Sequence, residues 1–207
     1  MRVSRLPFSG IFVFLVICCH YSSASQIRPD WPFHDQLIAE MESPKDTIYV
    51  ADRSQLIKIG KPQVRGRSVA FSNSEFGVLI YLRNSAFKAK RHSIDREHHG
   101  VDGIRAHGID STMPSRQLTD IKILWDTTVL SIPLRAFVGL YDLNFSTAEA
   151  YLTIDGAFLY IYITGSDGAG KYSVKFVFNH ERYVTRLFGS VTCMNQYDYI
   201  DGHGNCE

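Results

Sequence analysis

The 207-residue sequence predicts a mainly β protein, with α+β as the alternative. The expected form is a single exported domain, an antiparallel sheet or sandwich with a C-terminal four-strand meander and two short helices. Three observations predict it. Apolar residues alternate with a period of two in several short runs, as in strands with one buried face. Four such runs follow one another near the C-terminus, joined by short links containing Gly, Asp or Asn, as consecutive hairpins require. The composition, 45% hydrophobic and 21% charged, suits a globular chain and excludes disordered, collagen-like and multispan membrane classes.

The first segment in chain order is removable. Residues 1–10 hold Arg2 and Arg5 and no acid, 11–19 (IFVFLVICC) are apolar, and 20–24 (HYSSA) place Ser22 and Ala24 at peptidase-read positions. That is the layout of a secretory signal peptide over 1–24, cleaved after Ala24. Nine helical residues rise about 14 Å, against a hydrocarbon core about 30 Å thick. No transmembrane span is therefore expected in the mature chain. Ile17 before Cys18 also departs from a lipobox, which takes a small residue there. The expected location is secreted or periplasmic, and residues 25–207 form one domain. Its charge is balanced: removing Arg2 and Arg5 leaves 22 − 2 = 20 basic against 21 acidic residues. A nucleic-acid binder normally carries a basic excess, so none is expected as a partner.

Asp30-Trp31-Pro32 opens the first helix, with Asp as cap and Pro in the first turn. Phe33, Leu37 and Met41 form its apolar stripe, and Ser43-Pro44 ends it. Strands follow at 47–51, 55–59, 67–71 and 76–82, the last with Phe76, Val78, Ile80 and Leu82 on one face. Periodicity is then lost over about 83–117, a polar, His-rich stretch expected as a mobile excursion or a short helix. Ile121, Ile123 and Trp125 alternate again, and a strand at 129–132 follows. Pro133 starts the second helix, running to Asp142 with Leu134, Phe137 and Tyr141 buried.

The meander comprises 150–154, 157–164, 171–178 and 182–188, with Asp155-Gly156 read as a type I′ turn. Leu159, Ile161 and Ile163 face one side of its second strand, and Phe158, Tyr160 and Tyr162 the other. A strand apolar on both faces is central and covered on each. Beyond it, Cys193 and Cys206 are the cysteines left after cleavage, and an oxidising compartment would join them. The closed loop would contribute about 3 kcal/mol in the chain-entropy account.

Several motifs invite chemistry. Gly165-Ser-Asp-Gly-Ala-Gly170-Lys171 has phosphate-loop spacing, but Tyr172 takes the hydroxyl position. The alternation of Tyr172, Val174, Phe176 and Phe178 predicts a strand where that motif needs a helix. A Gly-rich hairpin loop is expected instead. Ser85-Ala-Phe-Lys88 and Gly66-Arg-Ser68-Val-Ala70 resemble nucleophile motifs without their partner signatures. Tyr197 and Tyr199 spoil a calcium loop in the tail. Asn144-Phe-Ser146 is a glycosylation sequon, meaningful in a eukaryotic secretory pathway. Tyr160, Tyr162 and Tyr172 could together form a binding face.

The histidine cluster carries the one metal expectation. His92, Asp95 and His99 stand at i, i+3 and i+7, one face of a helix if 91–100 is helical, with His107 or Asp110 as a fourth ligand. Imidazole and carboxylate suit zinc or iron. Two functions follow. The favoured one is an exported non-enzymatic β-rich interaction protein of the inhibitor, immunity or envelope-accessory kind, binding a protein or cell-envelope partner. The alternative is a metal-binding protein or metal-dependent hydrolase using His92, Asp95, His99 and His107, with zinc or iron.

Overall fold

The computed structural model describes residues 53–95, 100–109, 113–166 and 171–189. The chain is mostly β, in antiparallel sheets. Sheet A runs in the order β1 (Ile57–Lys58), β10 (Leu143–Leu152), β11 (Leu159–Gly165), β12 (Tyr172–Phe178), β13 (Tyr183–Gly189). Sheet B runs β2 (Gln63–Arg65), β3 (Ser68–Asn73), β4 (Val78–Ala86), β8 (Arg116–Trp125), β9 (Thr128–Val129). A small third sheet joins β5 (Ile94–Asp95), β6 (Gly100–Val101) and β7 (Ile104–Arg105).

The core lies between sheets A and B. Leu159, Ile161, Ile163, Val174, Phe176 and Phe178 of sheet A cluster with Val69, Phe71, Ile80, Leu82, Ile121 and Ile123 of sheet B. Each such side chain contributes about 1.5–3 kcal/mol by leaving water, which joins the sheets as a sandwich. Strands β10 to β13 form the expected meander, each pairing with its sequence neighbour. Gly165 is required in it: a Cβ there would collide with the Tyr172 ring opposite.

The helices differ from expectation. The first falls outside the described residues. After Pro133 only a 3-10 turn forms, Leu134–Ala136. Gly139 at φ 79° and the backbone bond from His107 N–H to Gly139 O stop it continuing. Leu134, expected buried with Phe137 and Tyr141, stays 45% exposed. Strand β2 escaped detection because all three of its residues are exposed.

The type I′ geometry belongs to another Asp-Gly pair. Asp102 (φ 53°) and Gly103 (φ 77°) link β6 to β7 with both central residues at positive φ. At Asp155-Gly156 only Gly156 is positive, within a longer link where Thr153 N–H bonds Phe158 O. In the stretch expected to be a mobile excursion or a short helix, the described residues carry a 3-10 turn (Ala89–Arg91) and the small sheet. The stretch is tied to the sandwich by a parallel bridge between His107 and Leu140. Gly108, at φ 86°, passes so close to Tyr141 that a Cβ would sit 2.6 Å from its carbonyl oxygen. Among the described residues no helix is long and apolar enough to cross a membrane.

Candidate functional site: the outer sheet faces

Of the residues expected to share a metal, His92, Asp95 and His107 lie among the described residues, each in a different local setting. The 3-10 turn ends at Arg91 and residues 92–95 are extended or irregular, so His92 and Asp95 lack the common face that i, i+3 spacing on a helix would give. His92 Nδ1 lies 2.7 Å from Asp102 Oδ2, its ring stacked on Phe87 at 4.6 Å. Asp102 also accepts from Ser93 N–H at 2.8 Å, so the pair closes the β5–β6–β7 hairpin. Asp95 is exposed on β5. His107 stacks on Phe188 at 3.9 Å, against β13. His99 and Asp110 lie outside the described residues, as do Cys193, Cys206 and the cleavage site. Among the described residues no three His, Cys, Asp or Glu side chains converge as a metal centre requires.

The nucleophile motifs are structural. Ser85 Oγ is 3.0 Å from Thr119 Oγ1, and Ser68 Oγ donates to Arg65 O at 3.0 Å. Strand β12 follows the Gly-rich loop directly, as the alternation predicted. Asn144 is exposed, and its Oδ1 accepts from Ser146 N–H and Oγ at 3.1 and 2.7 Å.

The tyrosines separate. Tyr172 faces inward opposite Gly165, and its hydroxyl donates to Tyr141 O at 2.8 Å. Burial pushes that hydroxyl's pKa far up, so it remains a donor. Tyr160 and Tyr162 point to the outer face of sheet A, where they are nearly fully buried with Tyr151 and Val177. Cations interleave there. Lys175 Nζ sits 3.9 Å from the Tyr160 ring centre, and the Arg53 guanidinium 3.8 Å from that of Tyr162. Such contacts strengthen once water is excluded.

Glu149 fastens this layer. It accepts from Lys58 Nζ at 2.5 Å, Tyr151 Oη at 3.0 Å and Arg53 Nη1 at 3.1 Å. Burial pushes its carboxyl pKa up, but the hydrogen bonds from Lys58 and Tyr151 and the charges of Lys58 and Arg53 outweigh it and hold it below 4.5. The same bond raises Lys58. A carboxylate lowered by folding stabilises the native state fully above its unfolded pKa and loses that contribution as pH falls through its folded one. Glu149→Gln should therefore cost about 1 kcal/mol at neutral pH and flatten the acid limb of stability against pH. Urea titrations from pH 3 to 7 measure both; an unchanged acid limb would show the layer is held otherwise.

Sheet B is open on its outer face. Cross-strand register aligns Ser72, Leu79, Leu124 and Val129 in one row. Leu79 is 44% and Val129 74% exposed. The next row is Ala70, Tyr81 and Lys122, and the third Ser68, Arg83 and Asp120. Sequence inspection missed this face because β4 was read from its inward residues alone. Leu79 and Tyr81, apolar on the opposite parity, were the available signal. Compared with protein-family models, curated proteins and solved structures, the chain matches none of them.

Proposed function

We propose that the chain is an exported, non-enzymatic β-sandwich binding protein that docks a protein partner on the outer face of sheet B. Export rests on the charged, apolar and small-residue segments of 1–24, and it would place Cys193 and Cys206 where a disulfide forms. The observation that carries docking is the row of exposed Leu79 and Val129 with half-buried Leu124 between them, an apolar strip with Tyr81 and charged groups around it. An apolar centre with an aromatic and a polar rim is how protein interfaces are composed. Glu75 and Asp126, both exposed in the turns beside the row, fit a partner whose own apolar strip is edged by Lys or Arg.

A photo-crosslinking residue at Ser72, exposed in the same row, should give in the producing cells one adduct heavier than the chain by a single partner mass. Leu79→Ser with Val129→Ser should abolish that adduct while changing stability by less than about 0.5 kcal/mol, as exposed substitutions do. An adduct of twice the chain's mass would assign the face to self-association. An adduct undiminished in the double variant would sink the proposal.

A further inference from the structure

Exposed charge is sorted along the sandwich. At the end where β2 turns into β3, β4 finishes and β8 begins, Arg65, Arg67, Arg83, Lys88, Lys90 and Arg116 are all exposed. The opposite end exposes Glu75, Asp126, Asp155 and Glu181 beside Arg182. Among the described residues none of those six cations forms an ion pair. Nearby carboxylates are engaged elsewhere. Asp102 holds His92, and Asp142 accepts from Ser115 Oγ and Arg116 N–H. Asp120, opposite Arg83, lies 3.4 Å from Lys122.

Arg65 and Arg83 flank Ser68 in register, two strand spacings or about 10 Å apart. Lys88 and Lys90, at the Ala89–Arg91 turn, continue the band past the end of β4, and Arg116 stands opposite Ala86 at the start of β8. The Debye length at physiological salt is about 8 Å, so repulsion across about 10 Å is largely screened, and an anion is held by touching several of these cations at once. The whole chain carries a net +1, so attraction of anions here is a property of the patch. Guanidinium forks match sulfate and carboxylate oxygens in pairs.

We infer that this end binds an extended polyanion, a polysaccharide bearing sulfate or carboxylate groups. The band crosses strands as a ribbon, which suits repeating charges along a chain. Bilayer insertion is poorly served, because Leu79, Val129 and the 74% exposed Ile154 lie toward the other end and Val64 is the one exposed apolar side chain on β2 beside Arg65. The preference for polysaccharide over nucleic acid rests on the export proposed above; the site itself is separate from the docking row.

The test is retention of the intact chain on immobilised dextran sulfate and on neutral dextran, across a salt series. Binding to the sulfated matrix alone is expected, weakening linearly in log salt. Arg83→Ser, Lys88→Ser and Lys90→Ser together should lower affinity at least tenfold with an unchanged melting temperature. The salt slope should become shallower by roughly two, at about 0.7 per cation removed. Glu75→Gln with Glu181→Gln, and the Leu79→Ser, Val129→Ser pair, should bind as the parent does. Equal retention on both matrices, or an unaffected triple variant, overturns the assignment. Stronger competition by anionic-lipid vesicles or by duplex DNA, at equal charge concentration, overturns it too and transfers the patch to that ligand.

Discussion

Arg186→Ala should destabilise the protein by about 2–5 kcal/mol, the range for truncating a large buried side chain. Arg186 is fully buried on the inward face of edge strand β13, not in the outer layer with Lys175. Its Nη1 donates to Val138 O at 2.8 Å and to Ala136 O at 3.3 Å, the carbonyls of the turn that replaced the expected helix. Removing the guanidinium takes this donor from both carbonyls. It also leaves a cavity the size of a long side chain. Arg186→Lys should recover only part of the loss, because one ammonium cannot reproduce a fork. Urea denaturation reads these values. A loss under about 1 kcal/mol for the alanine variant would mean that β13 is held by its strand pairing alone.

Trp125→Ala should cost a similar amount, about 3–5 kcal/mol for a buried tryptophan. Trp125 closes the opposite end of the core at 2% exposure. The His180 ring lies 3.8 Å from it, and His180 Nε2 is 3.2 Å from Gly156 O. The indole thus underlies the β8–β9, β10–β11 and β12–β13 connections together. Trp125→Phe should keep most of the stability, whereas alanine should also speed amide exchange in 153–158 and 179–182. Loss of stability without faster exchange there would confine the role of the indole to packing.

The sheets were legible where alternation survived. Val78, Ile80 and Leu82, or Ile121, Ile123 and Trp125, bury every second residue without interruption. Strand β10 was seen only from residue 150, although it begins at Leu143. Its register shifts between Asn144 and Glu149, so the inward set changes parity from Leu143 and Phe145 to Ala148 and Ala150. A bulge hides a strand from any search for period two. The meander's middle strand read correctly as apolar on both faces, but nothing local said that Tyr160 and Tyr162 would be buried beside cations. The exposed row and the basic band were illegible for a different reason. Each is assembled from residues far apart in sequence, and register across sheet B brings them together.

The pairing of β1 with β10 has a consequence for how the chain reaches its native state. Ile57 meets Leu152, 152 − 57 = 95 residues later, whereas every other pairing in sheet A joins sequence neighbours. Closing so long a loop is slow compared with forming the hairpins of the meander. During synthesis, the segment around β1 must wait without its partner strand until β10 has emerged. Sheet A therefore takes in its first strand in sequence only after β10 is available, out of the order in which the chain is delivered.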